Sequence, residues 1–210
     1  MYAVKEIFYT LQGEGFHAGR PAVFCRFTGC NLWSGRERDR ASAQCTFCDT
    51  DFVGTDGANG GKYATASSLA QKIASLWPHA SSEHRLVVFT GGEPLLQLDE
   101  SLVRSLRLSG FKSSVETNGT LDPPAGVDWI TVSPKGNVPI RLSRASELKL
   151  VFPQPNALPE AFDHIHAEHY FLQPMDGVHL ASNTQATIEY CKANPKWRLS
   201  MQMHKYLGIP

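Results

Sequence analysis

From residue 64 onward the sequence alternates short apolar runs with segments of helical period, and that alternation limits the fold more than any other feature. LVVFT (86–90), KSSVET (112–117), DWITVS (128–133), ELKLVF (147–152), YFLQP (170–174) and WRLSMQMH (197–204) read as strands. Leu69, Ile73, Leu76 and Trp77 share one helical face, with Ser67 or Ser68 as cap and Pro78 as stop. Leu95, Leu98, Leu102 and Leu106 mark a second helix that Gly110 ends. Leu158, Phe162 and Ile165 mark a short third helix with Pro159 in its first turn, and residues 184–193 a fourth, closed by Asn194-Pro195. Strand alternating with helix is the pattern of a parallel sheet with crossover helices. A closed eight-stranded barrel takes about 250 residues, and this chain has 210. The expected fold is therefore α/β: an incomplete parallel β/α barrel, open on one side, with fewer helices than strands. Its active site belongs at the C-terminal ends of the strands, just after Thr90, Thr117, Ser133 and Leu172.

Ahead of this region, VKEIFYT (4–10) and AVFCRF (22–27) read as strands around the Gly-rich turn QGEGFHAGRP. Residues 29–63 lack periodicity and read as a long functional loop, since so long a structureless stretch is otherwise uncommon. No internal repeat divides the chain, so one domain over 1–210 is expected. Lys+Arg and Asp+Glu balance at 20 each, which argues against a nucleic-acid partner held through phosphates. No apolar run approaches the ~20 residues of a membrane span. The start, MYAVKEIFYT, lacks the basic-then-apolar pattern of a secretion signal, so a reducing cytoplasm is the expected location.

Five cysteines are present, four of them between Cys25 and Cys48. Without an export signal, a metal or cluster site is the better reading than disulfides. Taking all four gives C-x4-C-x14-C-x2-C, which suits a closed, structural zinc site, as in a nucleic-acid-binding zinc module. Taking only Cys30, Cys45 and Cys48 gives three thiolates that hold three irons of a [4Fe–4S] cluster and leave the fourth open. Cys25 alternates with Val23 and Phe27 onto one strand face and so looks like a small core residue. Downstream, Thr90-Gly91-Gly92-Glu93-Pro94 follows a strand directly; the glycine pair permits close backbone approach, and the carboxylate can accept from an ammonium.

Three loop cysteines ending in C-x-aromatic-C, followed by GGEP, resemble the radical S-adenosylmethionine (SAM) superfamily. Within it, further motifs resemble the 7-carboxy-7-deazaguanine synthase family: Gln12-Gly13-Glu14-Gly15, Arg26, Cys48-Asp49-Thr50, Glu116-Thr117-Asn118-Gly119, Ser133-Pro134-Lys135, Gln173-Pro174-Met175-Asp176, and the ending from Gln202 to Pro210. One departure from the superfamily pattern is the spacing of the first two cysteines, 14 residues instead of three. The extra stretch, Asn31 to Gln44, reads as a solvated loop of mixed charge inside a cluster-binding loop over about 28–63. A glycyl-radical activating enzyme, also a short member of the superfamily, is the rival enzyme; it has no reason to share QGEG or the HKYLGIP ending.

The resemblance implies one-electron cleavage of SAM and hydrogen abstraction from 6-carboxy-5,6,7,8-tetrahydropterin. Ring contraction and loss of ammonia then give 7-carboxy-7-deazaguanine, a queuosine precursor. It implies Cys30, Cys45 and Cys48 as cluster ligands. It implies a SAM site from Phe47, Cys48, Asp49, Gly92, Glu116, Ser133, Pro134, Lys135, Gln173, Pro174, Met175 and Asp176. For the pterin it implies Gln12, Gly13, Glu14, Arg26, Thr90, His204 (pointing from the last strand) and the α-carboxylate of Pro210. It also implies Mg²⁺ at Thr50, with Asp49 and Asp51 beside it, a homodimer, and an external one-electron donor such as a flavodoxin. Lys149 and Cys191 read as structural.

Overall fold

The computed structural model describes residues 1–78 and 83–210. One nine-stranded sheet organises it. β1 (Tyr2–Leu11) and β2 (Pro21–Phe27) form an antiparallel hairpin with Ile7 opposite Cys25, and β3 (Gly61–Tyr63) adds antiparallel to the outer edge of β1. Every strand after that is parallel to β2: β4 (Leu86–Gly91), β5 (Lys112–Thr117), β6 (Trp129–Val132), β7 (Arg144–Phe152), β8 (His166–Pro174) and β9 (Arg198–Leu199). The order is β3-β1-β2-β4-β5-β6-β7-β8-β9, an open sheet, as the incomplete barrel requires. The α-helices are four among the described residues: α1 (Ala66–Ser75), α2 (Glu100–Leu108), α3 (Leu180–Ala193) and α4 (Met203–Leu207).

Apolar residues of the outer sheet face meet the helices. Val23, Cys25, Phe27, Val87, Phe89 and Val115 pack with Leu69 and Ile73 of α1 and Leu102 and Leu106 of α2. Phe27 and Phe89 stack at 5.9 Å in its middle. A second cluster joins Leu148, Leu150 and Leu172 to Phe162, Ile165 and Trp197. Because side chains alternate along a strand, the opposite, concave face receives Arg26, Thr90, Glu116, Glu147 and Lys149. The interior is therefore polar towards the C-terminal ends of the strands, while Ala22, Phe24, Leu86 and Val88 form a small apolar cluster further down.

Several local expectations are corrected. The residues read as a second helix divide at Asp99, whose carboxylate accepts from Leu102 N at 2.9 Å and caps α2; Pro94–Leu96 is a separate 3-10 turn. Thr65, rather than Ser67 or Ser68, caps α1 in a reciprocal capping box with Ser68. The segment after Pro159 is a 3-10 turn over Pro159–Phe162. The last strand is only Arg198–Leu199, and His204 lies in α4, because the chain turns back onto the β1–β2 hairpin: Met203 N donates to Gly13 O at 2.9 Å.

Candidate active site

The C-terminal ends of the parallel strands surround a cleft of about 420 Å³. The turn after β1 brings Gln12, Gly13 and Glu14 to one wall, while β2 and β4 supply Arg26, Thr90 and Gly92. Phe47, Cys48, Asp49 and Thr50 form the rim from the cysteine loop. Glu116, Ser133 and Lys135 follow from β5 and the loop after β6. Gln173 to Asp176 close the far side, with His204 and Pro210 from the C-terminal segment. Of the residues expected at the site, Cys30, Cys45 and Pro134 lie behind this surface. Pro134 is buried, its carbonyl accepting from Gln154 Nε2 at 3.2 Å.

The GGEP turn joins the first cysteine to the sheet. Glu93 N donates to Gly29 O at 2.9 Å, and a Cβ on Gly92 would lie 2.6 Å from the Cys30 Cβ and 2.2 Å from Gly29 O. Glycine is thus demanded here by the approach of β4 to the loop after β2. The carboxylate of Glu93 does not face the cleft. It is fully buried and accepts from Leu95 N (2.9 Å), Thr117 Oγ1 (2.8 Å) and Asn118 N (2.8 Å), which fixes the ends of β4 and β5 together. The expectation that it accepts from an ammonium is corrected: its acceptor positions serve the protein's own donors.

Cys25 belongs to the core, fully buried beside Val23 and Phe27. A four-thiolate zinc site would need it in the loop, and its strand position rules that out. Burial pushes the thiols of Cys30 and Cys45 up, and mutual repulsion among Cys30, Cys45 and Cys48 adds to the rise, so the three thiols share one neighbourhood. Lys135 faces the same place: burial lowers its pKa and the charges of Cys45 and Cys48 pull it back up. Its ammonium donates to Ser133 Oγ at 2.6 Å and lies 5.9 Å from the Phe47 ring centroid. Among the described residues no three His, Cys, Asp or Glu side chains converge as donors to one ion. Tetrahedral zinc draws its thiolates to about 3.8 Å from one another, given Zn–S of about 2.3 Å. A cluster instead takes one thiolate on each of three irons. The three-cysteine donor set fits the cluster.

Lys149, read from sequence as structural, is the centre of the cleft. Its Nζ lies 2.7 Å from Glu14 Oε2 and 2.9 Å from Glu116 Oε2. Burial opposes the charge on Glu14, but Lys149 and the Gln202 amide more than offset it and hold that carboxyl at about 2. Burial likewise lowers Lys149, and the three surrounding glutamates raise it well above its usual range. Gln12 Nε2 donates to Glu116 Oε1 at 3.3 Å, and the amide oxygen of Gln12 accepts from Glu14 N at 3.1 Å. Glu14 thus stays an ionised acceptor on the cleft wall, with the Glu116 carboxylate beside it. The signal in the sequence was the phase of ELKLVF: Leu148 and Leu150 occupy one face, which puts Glu147 and Lys149 together on the other.

Glu6, Lys5 and Lys205, given no role by the sequence, hold the rim. Arg26 Nε donates to Glu6 Oε1 at 2.8 Å. Lys5 pairs with Asp51 (2.9 Å) and Asp56 (2.8 Å) and donates to Val53 O (2.9 Å), so Asp51 is taken up in anchoring its loop. Lys205 of α4 reaches Asp49 (2.6 Å) and Asp176 (2.5 Å), while Gln202 Nε2 donates to Glu14 Oε1 at 3.1 Å. Thr10 Oγ1 donates to Pro210 O at 3.0 Å. The C-terminal segment therefore closes one side of the cleft.

No protein-family model matches the chain. It is 63% identical over 209 residues to the 7-carboxy-7-deazaguanine synthase of Bordetella pertussis, covering 100% of this chain and 99% of that protein. It is 50% identical over 214 residues to the 7-carboxy-7-deazaguanine synthase of Nitratidesulfovibrio vulgaris, again covering 100% and 99%. Among solved structures, the crystal structure of QueE from Escherichia coli superposes with a TM-score of 0.71 at 29% identity, covering 97% of this chain and 94% of that one. With likeness of this degree running the full length of the sequence, and with the cysteine loop, the QGEG turn and the C-terminal segment meeting at one cleft, the chain belongs to the 7-carboxy-7-deazaguanine synthase family.

Proposed function

We propose that this protein is a radical SAM enzyme that converts 6-carboxy-5,6,7,8-tetrahydropterin to 7-carboxy-7-deazaguanine and ammonia, in 7-deazapurine biosynthesis. Family membership supports the reaction. The observation that carries it on this chain is the continuity of one cleft from the Phe47–Thr50 loop, beside the cysteines, to the acceptor-rich wall of Glu14 and Glu116. Cys30, Cys45 and Cys48 would hold the [4Fe–4S] cluster. The cluster and SAM, when bound, supply the one-electron chemistry that begins the reaction at the carbon bearing the carboxylate.

The protein's own work is binding, orientation and exclusion of water. Gly92, Phe47 to Asp49, Glu116, Ser133, Lys135 and Gln173 to Asp176 are the SAM surface in this reading, with Pro134 backing it, and residues 1–210 act as a single radical SAM domain. Glu14, kept ionised by Lys149, accepts from the amino-pyrimidinone edge of the substrate together with Gln12. Arg26, oriented by Glu6, faces the substrate carboxylate with its remaining guanidinium donors. Thr90, His204 and the Pro210 carboxylate complete that half. The Thr50 hydroxyl is a hard donor for Mg²⁺; such an ion keeps waters and takes substrate oxygen, so it needs no protein cage.

Among the described residues no helix is long and apolar enough to cross a membrane. A homodimer, an external donor such as a flavodoxin, and a cytoplasmic location complete the proposal, supported by the family likeness.

The test is anaerobic reconstitution with iron and sulfide, followed by SAM, dithionite, Mg²⁺ and the carboxytetrahydropterin, with products followed by mass. Deazapurine and 5′-deoxyadenosine are expected, both lost in Cys48→Ala. SAM cleavage without deazapurine would keep the superfamily and remove the substrate. A colourless protein with one tightly held zinc would remove the whole reading.

A further inference from the structure

The stretch Asn31–Gln44 separates the first two cysteines, and nothing in the reaction calls for it. Its mixed charge suggests a solvated loop; the structure shows a folded element instead. Leu32 and Trp33 are buried, and Trp33 meets the buried Phe52 edge-on at 5.6 Å. Leu32 O accepts from Gln44 N and Cys45 N, which closes the base of the insert beside the second cysteine. Asn31 ties the start to the loop after β5, accepting from Asn118 Nδ2 at 3.0 Å and donating to Thr120 Oγ1 at 2.8 Å. Glu37–Ser42 is a 3-10 helix.

From that helix Arg40 reaches across the C-x-x-C turn. Its Nη1 donates to Thr46 O at 3.0 Å and to Cys48 O at 3.1 Å. Its Nε donates to both carboxylate oxygens of Glu37, at 2.9 and 2.8 Å, and its guanidinium carbon lies 4.1 Å from the Trp33 ring centroid. Four groups thus fix one side chain whose free end grips the backbone between and beside two cluster cysteines. Charge-assisted donors to carbonyls are the stronger kind of hydrogen bond, and a planar fork on an aromatic face is a geometry lysine cannot reproduce. We propose that Arg40 is a positioning residue of the cluster: the insert exists to hold its guanidinium on the Thr46 and Cys48 carbonyls, fixing the Cys45–Cys48 turn and placing a permanent positive charge beside the cluster.

The inference rests on the cluster assignment above, and its test separates the two. Wild type, Arg40→Met and Arg40→Lys are reconstituted anaerobically. Three quantities are read: bleaching of the cluster absorbance by the ferrous chelator bathophenanthroline, the cluster midpoint potential by EPR-monitored titration, and thermal melting of the apo chain. Bleaching at least about tenfold faster in Arg40→Met, with a more negative potential from the lost positive charge, is the expected result. Arg40→Lys should also bleach faster, because the fork is gone, but should keep a potential close to wild type. Should Arg40→Met fail to fold, the Arg40→Lys comparison still decides. Wild-type bleaching rates and potentials in both variants, or a lowered melting temperature with neither changed, would overturn the proposal. Wild-type protein that takes up no iron would remove the cluster assignment, and this inference with it.

Discussion

Lys149 and Lys205, two of the three cleft lysines that bridge a pair of carboxylates, differ mainly in burial. Lys149 joins Glu14 and Glu116 with 6% of its side chain exposed; Lys205 joins Asp49 and Asp176 with 37% exposed. The distances are alike, so contact geometry does not distinguish them. Solvent does. Water screens the charges around Lys205 and would satisfy its partners if the lysine left. Around Lys149 water can substitute only in part, since Glu14 and Glu116 keep 18% exposure towards the cleft, and the pairs there offset a desolvation cost that each group would otherwise bear alone. The same ionic pattern is thus an adjustable closure at the rim and an obligatory part of the floor.

Lys149→Met should have the largest effect, since it strands two half-buried carboxylates without their cation. Removing one partner of a buried pair costs about 3–5 kcal/mol, readable as a fall in denaturation midpoint of the apo chain. Turnover should drop about a hundredfold or more, because Glu14 loses the cation that holds it ionised and both carboxylates lose the donor that orients them. Stability within 1 kcal/mol of wild type would show that water reaches the floor, and the contrast with Lys205 would collapse.

Glu147 sharpens the contrast from the other side. It lies two residues before Lys149 on the same face of β7 and is 2% exposed. Its Oε2 accepts from Phe16 N at 2.9 Å, while among the described residues no donor reaches Oε1. The turn carrying Gly15 presses on that oxygen so closely that a Cβ on Gly15 would lie 2.1 Å from it, at a φ of +65° that disfavours side chains anyway. Beneath, Phe16 stacks on His169 at 4.1 Å and on Trp129 at 5.1 Å, closing the N-terminal end of the interior with rings. Burial raises the Glu147 carboxyl to about 7, with repulsion from Glu116 and Glu14 adding to the rise and Lys149 opposing it. The folded state therefore holds a proton that the unfolded chain releases near 4.5. Between those values folding takes up a proton, so stability falls as pH rises from about 4.5 to 7, by about 3 kcal/mol in all. Glu14 has the opposite sign: held at about 2, it adds stability present above 4.5 and lost as pH falls towards 2. Glu147→Gln should flatten the upper limb alone, making the apo variant more stable than wild type at pH 8 and leaving the acid limb in place. A wild-type curve with no decline between pH 4.5 and 7 would show Glu147 ionised and matched, as Lys149 is.

Much of this arrangement was legible in the sequence because it follows from period and spacing. The phase of Val23-Cys25-Phe27 assigned Cys25 to the core, and the crossover pattern placed the strand ends around the cleft. What escaped reading came from pairings across long separations. Lys149 finds Glu14 across 135 residues, and Lys205 finds Asp49 across 156; no local pattern encodes such partners. Glu93 was misassigned for a related reason. Its motif shows a carboxylate, whereas its donors, Thr117 and Asn118, arrive with the next strand. The last strand was read too long because the apolar alternation of WRLSMQMH says nothing of the hairpin to which Met203 returns.

Lys205→Met is the smallest effect and the sharpest control. With a third of the side chain in water, the lost ion pairs should change stability by less than about 1 kcal/mol. The segment that Lys205 holds, however, carries His204 and Pro210, and its two carboxylates belong to the loops assigned to SAM. The expected outcome is a KM for SAM raised about threefold to tenfold, with melting of the apo chain almost unchanged and the rise reduced by Lys205→Arg, which keeps the charge. Raising salt should weaken SAM binding in wild type more than in the variant, since only the wild type has screened pairs to lose. If Lys205→Met instead unfolds the chain as Lys149→Met does, the rim is as dry as the floor. The two ionic patterns would then carry the same weight, and burial would not separate them.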